Sequence, residues 1–278
     1  MVVIGAAGQT VVPVRRGPRR AGQWLGVPRL AVGLLLPVAI AALWEYAAAR
    51  QWIAVHLLPP PSAVAATLSQ LAASGELWVH IGATVERVAV GFFFGALAGT
   101  ILGALTGTLE PLRRLLDPSL QALRSIPSIA WVPLFILWFG IFELSKVVLI
   151  AVGVFFPVYL ALAAAIRNVD RKLVEVGRAF RFGRARLVLR ILVPAALPTY
   201  LIGLRGGLGL GWMFVVAAEL MGASEGLGFL LLDGQQTGRA STIIAAILLF
   251  AVLGKTTDWL LALFSAYILR WQDSYQTH

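Results

Sequence analysis

The sequence has no cysteine and only three histidines in 278 residues. The first absence excludes a disulfide framework and any thiolate metal site. The second leaves His56, His80 and His278 far apart in the chain, so no metal site is expected. Charge is scarce as well. Asp, Glu, Lys and Arg make up 13% of the chain, against about 25% in soluble globular domains. Apolar residues take their place: 59% of the chain is hydrophobic and the mean hydropathy is +0.84. Too little polar surface remains to cover a water-soluble body of this size, and the bilayer is the solvent in which such a chain is stable. The expected fold class is all-α, a polytopic membrane protein.

At about 20 residues a span, six spans are expected, near 30–49, 84–107, 127–142, 146–166, 200–221 and 242–264. Residues 1–29 carry Arg15, Arg16, Arg19, Arg20 and Arg29 among Gly and Pro. They read as a disordered basic tail in front of an uncleaved first span, since the apolar stretch that follows is too long for a signal-peptide core. Residues 30–278 read as one transmembrane domain. Between spans one and two, Pro59-Pro60-Pro61 breaks the helix. Leu68, Leu71 and Trp78 then suggest a short amphipathic surface helix.

The net charge of +10 is a topology signal once the spans are drawn. With six spans the two termini share a side. That side carries eighteen of the 23 Lys and Arg, the opposite side Arg50, Lys146 and Arg239, and Arg87 and Lys255 sit within or at the edges of spans. By the positive-inside rule both termini are cytoplasmic. Nucleic acid is not an expected partner, whereas the lipid bilayer is.

Glycines mark the second and fifth spans. Gly91, Gly95, Gly99, Gly103 and Gly107 recur at every fourth position, giving one helix face without side chains on which another helix packs closely. That partner is a helix of the same subunit or of a second one. Span five opens with Gly203, Gly206, Gly207, Gly209 and Gly211, which suits a pathway-lining helix that bends as much as ordinary packing. Ionisable residues in spans face protein or a water-filled cavity. Glu219, with Gly206 and Gly207, is therefore a candidate for the pathway. Lys255 and Asp258 are placed to pair on one helix face, and Glu86 and Arg87 read as interfacial. Gly254-Lys255-Thr256 matches only the tail of a phosphate-binding loop, because the earlier glycine such a loop needs is Leu249. No ATP hydrolysis is expected from this chain.

The stretch between spans four and five carries the most information. Val169, Leu173, Val176 and Phe180 recur at helical spacing. Asn168 or Asp170 is a helix cap, and Gly183 is the expected stop. The result is an amphipathic cytoplasmic helix near 168–183, lying on lipid or docking into a partner's groove.

This loop resembles the Glu-Ala-Ala signature of ABC-importer permeases. Counting back from Pro198, Glu175 falls on the motif's Glu, Val176-Gly177 on its two alanines and Arg181 on its glycine. The last is a departure, for which Gly183 offers a turn two residues later. Over 57–272 further segments follow in the family's order: Leu58-Pro59-Pro60-Pro61, Asp117-Pro118, Ser125-Ile126-Pro127, Pro133 through Gly140, Gly203-Leu204-Arg205, Ala218-Glu219 and Gly226-Leu227-Gly228. Together they are similar to the nitrate/sulfonate/taurine branch of the binding-protein-dependent permeases.

The resemblance implies a multi-pass subunit of a bacterial inner membrane. It implies a homodimer of permeases, two cytoplasmic ATPases and an extracytoplasmic solute-binding protein. ATP and Mg²⁺ belong to the ATPase, with no cofactor in this chain. The coupling residues it implies are Glu175, Val176, Gly177, Phe180, Arg181 and Gly183. The solute it implies is a small anion such as an aliphatic sulfonate, taurine or nitrate. On the residues alone, an ion-coupled secondary transporter or channel is the alternative, though no inverted repeat or polar ion site supports it.

Overall fold

A computed structural model of the chain describes residues 29–52 and 54–271. Apart from Arg29, the basic tail expected over 1–29 lies outside the described residues. The described chain is helical throughout, with no strand among the described residues. Four helices are long and apolar enough to cross a membrane: α3 (Glu76–Thr108), α6 (Glu143–Arg167), α9 (Val193–Leu220), whose apolar run starts at Ala185, and α11 (Ala240–Ile268). The N-terminal helix α1 (Arg29–Ala49) adds a shorter apolar stretch, Leu35–Ala49.

The expected third span differs. Only α5 (Val132–Phe139) is helical there beyond a 3₁₀ turn at Ser128–Trp131. It joins α4 (Glu110–Ser125) across a bend of 87°, and the pair makes a fifth candidate span if taken as one. The bend has a covalent cause. Pro127 disfavours the helical conformation for its predecessor, and Ile126 is extended at φ −79°, ψ 122°.

The surface helix also differs. Pro61 opens α2 (Pro61–Ser74), where its missing N–H costs nothing. Gly75 then turns at φ +85° and α3 starts at once. Trp78 therefore belongs to the long helix α3, which begins eight residues before the expected span.

The core is the trio α3, α6 and α9. α6 is the middle helix: α3 runs parallel to it, and α9 packs on it and runs the other way. Lipid tails are as apolar as Leu, so burial alone gives little net association in a bilayer, and close packing must supply it. All five α3 glycines face α6. A Cβ at Gly95 would meet the carbonyl oxygen of Ala151, at Gly99 that of Phe155 at 2.8 Å, and at Gly103 that of Tyr159 at 2.9 Å. The face is used inside the chain. On α6, Ile150, Val154 and Val158 have no exposed surface and fill the space between the two neighbours. Gly207 and Gly211 of α9 approach the same Ile150, Val154 and Val158 from the other side, and Gly203 meets Ala161 and Pro157. Large apolar side chains such as Phe93, Ile101, Met213 and Leu263 point outward, the inverse of a water-soluble surface.

At the far end of α6 the chain turns through α7 (Arg171–Ala179), α8 (Arg184–Leu187) and a π-helical segment, Val188–Leu192, into α9. The π segment has a local reason. Pro194 has no N–H to give the Arg190 carbonyl, and the Val193 N–H bonds five residues back, to Val188. The helix α10 (Leu227–Gln236) then leads into α11.

Candidate functional site

The two ends of the trio differ in kind. At one end lie α7 and its turn. Asp170 caps the helix, its side chain accepting the Lys172 N–H at 2.9 Å. The helix stops at Arg181 and not at Gly183, because Arg181 itself takes the left-handed conformation at φ +53°. The Arg181 N–H bonds to Arg178 and the Phe182 N–H to Gly177, the paired bonds of a Schellman stop. The position where the family motif has Gly therefore needs a positive φ, and this chain meets it with an arginine at a cost of about 1–2 kcal/mol.

Gly177 is the buried residue of α7. The Ile191 and Leu187 side chains pack over it, tying the short helix to the π segment and so to α9. The flank beside it is open. Leu173, Val176 and Phe180 are 47%, 53% and 72% exposed, and Glu175 is exposed on the side of the helix away from Gly177.

The other end is closed by a buried charge cluster. Glu219, near the end of α9, has no exposed surface. Its carboxylate accepts from Thr84 Oγ1 (2.8 Å), from Arg87 Nη1 (2.8 Å) and from the Gly228 N–H (2.7 Å). Arg87 is 4% exposed. It binds Glu143 with both Nε and Nη2, at 2.6 and 2.9 Å, and gives a further bond to the Glu225 carbonyl. Lys146 completes the set, donating to Glu143 at 2.9 Å. Two cations thus meet two carboxylates, with a backbone donor for the deepest one. Burying such charges is costly unless they are paired and hydrogen-bonded throughout, and here the starts of α3 and α6 and the end of α9 are held together by it.

Gly226 and Gly228 admit the backbone to this cluster. Gly226 sits at φ +121°, and a Cβ there would lie 2.5 Å from Glu219 Oε1. A Cβ at Gly228 would lie 2.5 Å from the Glu219 Cβ. Arg87 reads as interfacial in the sequence, yet it is the centre of the cluster. The signal was there: His80, Thr84 and Arg87 continue the glycine face of α3 one turn at a time toward its start.

Of the other sequence candidates, Gly207 packs on Val154 and Val158, whereas Gly206 has nothing within 4 Å. Asp258 takes Arg205 from α9 in two bonds of 2.9 Å, with Lys255 further off at 4.0 Å. Glu45 of α1 binds the Ser62 N–H and hydroxyl at the start of α2. Among the described residues no three His, Asp or Glu side chains gather where they would hold a metal ion.

Residues 91–269 match the family of binding-protein-dependent transport system inner membrane components. The chain belongs to this family. Within it the permease falls in the nitrate/sulfonate/taurine branch of the ABC importers. It is 43% identical over 244 residues to the putative aliphatic sulfonates transport permease protein of Bacillus subtilis (strain 168), covering 88% of each chain. It is 33% identical over 229 residues to the taurine transport system permease protein of Escherichia coli (strain K12), covering 81% of this chain and 82% of that one. In fold it is similar to an amino acid ABC transporter crystallised with histidines, at a TM-score of 0.60 and 18% identity, over 72% of this chain and 97% of that one. The MetNI methionine ABC transporter matches at a TM-score of 0.58 and 22% identity, over 70% and 96%. The permease is thus a multi-pass membrane protein and a transport subunit of an ABC importer.

Proposed function

We propose that this permease carries a small anion, an aliphatic sulfonate before taurine or nitrate, into a bacterial cell. Two copies form the channel, with two ATPases on the cytoplasmic side and a solute-binding protein on the other. ATP and Mg²⁺ reside in the ATPases. Residues 30–278 act as one domain of six spans behind the basic tail 1–29, and both termini are cytoplasmic. The sulfonate preference rests on the 43% identity to the B. subtilis permease, and the orientation on the positive-inside count.

The observation that carries the reading is the uncovered stripe of Leu173, Val176 and Phe180 on a helix stopped at both ends. An amphipathic helix with its apolar side free fits a groove on a partner. Phe180 is the anchor, and Glu175 makes the second partner contact from another side of the helix. Movement of the ATPases reaches the spans through Gly177, Ile191 and the π segment, biasing a two-state equilibrium of the spans. Gly206, on the open face of α9, lines the path, and Glu219 holds the outer end of that helix in place.

The test is to express the permease with its ATPase and compare wild type with Glu175→Lys. The variant is expected to insert normally, retain less ATPase on purification and lose transport and stimulated hydrolysis. Full coupling in the variant contradicts the assignment.

A further inference from the structure

Beside the charge cluster lies a cavity of about 650 Å³ between the start of α3, α2, α10 and the start of α11. Its walls include Glu76, His80, Glu225, Phe229, Asp233 and Arg239. Asp233 is neutralised by Arg239 at 2.7 Å. Glu76 and Glu225 form no ion pair among the described residues, which leaves the cavity two uncompensated negative charges. Such a lining repels the anion proposed as transported solute and attracts a cation.

His80 adds a second, independent feature. It is only 8% exposed, stacked on Phe229 with ring centroids 5.6 Å apart. Its Nδ1 accepts the Gly226 N–H at 3.0 Å. The neutral ring therefore carries its proton on Nε2, and Nε2 has no partner among the described residues. That nitrogen is a donor, so it offers no lone pair to a metal ion. It asks for an acceptor such as a carbonyl oxygen.

We infer that this cavity binds a small organic cation, an ammonium compound with a carbonyl group, its charge on Glu76 and Glu225 and its carbonyl on His80. The volume is that of a small-molecule site. The loop that walls it is shared with the charge cluster. Glu225 turns its side chain to the cavity and its carbonyl to Arg87, while Gly226 links His80 to the turn above Glu219. The site stands apart from the coupling helix and does not depend on the orientation proposed above.

The test is calorimetric titration of the full chain in lipid nanodiscs, open to both faces, with glycinamide held below its amino pKa of about 8. Acetamide, with the carbonyl and no charge, is the comparator. Saturable binding of glycinamide, none of acetamide, and affinity lower by about tenfold in Glu76→Gln and in Glu225→Gln are expected. Both variants are expected to melt with the wild type, because neither side chain bears an ion pair. Absence of saturable glycinamide binding, equal binding of acetamide, or wild-type affinity in both variants overturns the proposal.

Discussion

The two ends of the α3–α6–α9 trio spend their polar and apolar groups in opposite ways. At the Glu219 end the buried charges of Glu219, Arg87 and Lys146 are paired, through the more exposed Glu143 for Lys146, with Thr84, Gly226 and Gly228 fitted around Glu219. At the α7 end the side chains that a soluble protein would bury stand in solvent, and the one buried residue is a glycine. A satisfied end is built to stay together, and an unsatisfied end is built to meet something. The same three helices thus carry a fixed clasp and a free handle.

The largest effect is expected from breaking the clasp. Glu219→Ala leaves Arg87 only its exposed partner Glu143 and takes the acceptor from Thr84 and the Gly228 N–H, and removal of one partner of a buried pair costs about 3–5 kcal/mol. The variant should melt well below wild type in detergent and give little folded protein. The double variant Arg87→Met with Glu219→Leu, which removes both charges, should recover part of that loss. Equal damage from single and double variants would deny the pairing its role.

Next in size is the glycine face. Gly95→Leu drives a side chain into the Ala151 backbone, and overpacking of this kind costs about 1–3 kcal/mol. Gly206→Ala on the open face of α9 meets nothing, and alanine gains up to about 1 kcal/mol as a helix former. Opposite shifts in melting temperature check the two predictions together. Loss of transport in Gly206→Ala without loss of stability would sharpen the case that this face lines the path.

At the handle the expected pattern reverses. Phe180→Ala should leave the melting temperature within about 0.5 kcal/mol of wild type while uncoupling transport from ATP hydrolysis. The smallest effect is that of Arg181→Gly. It removes the strain of a left-handed arginine and should stabilise the loop by up to about 1 kcal/mol, offset by the added freedom of the unfolded chain.

Much of this was legible in the residues. The period-four glycines of α3 announced a close helix contact, because residues four apart on a helix share one face and the surrounding apolar run is long enough to be a span. The stripe from Leu173 to Phe180 announced the handle in the same way. The bend at Pro127 was missed as a break in the third span, since a run of apolar residues does not reveal its direction. The clasp was missed because its members are far apart in sequence, Thr84 and Glu219 by 135 residues. Arg87 beside Glu86 has the look of a span edge until α9 brings Glu219 against it. Gly183 seemed the helix stop because glycine favours a positive φ, but hydrogen bonding to Gly177 and Arg178 places that φ at Arg181.

The absence of cysteine makes the decisive measurement clean. A single Val176→Cys in the handle is labelled in sealed vesicles of known orientation by a membrane-impermeant maleimide, with and without the ATPase. The account predicts labelling from the cytoplasmic face alone, and protection when the ATPase is bound. Labelling from the opposite face, or undiminished labelling in the assembled transporter, would contradict it.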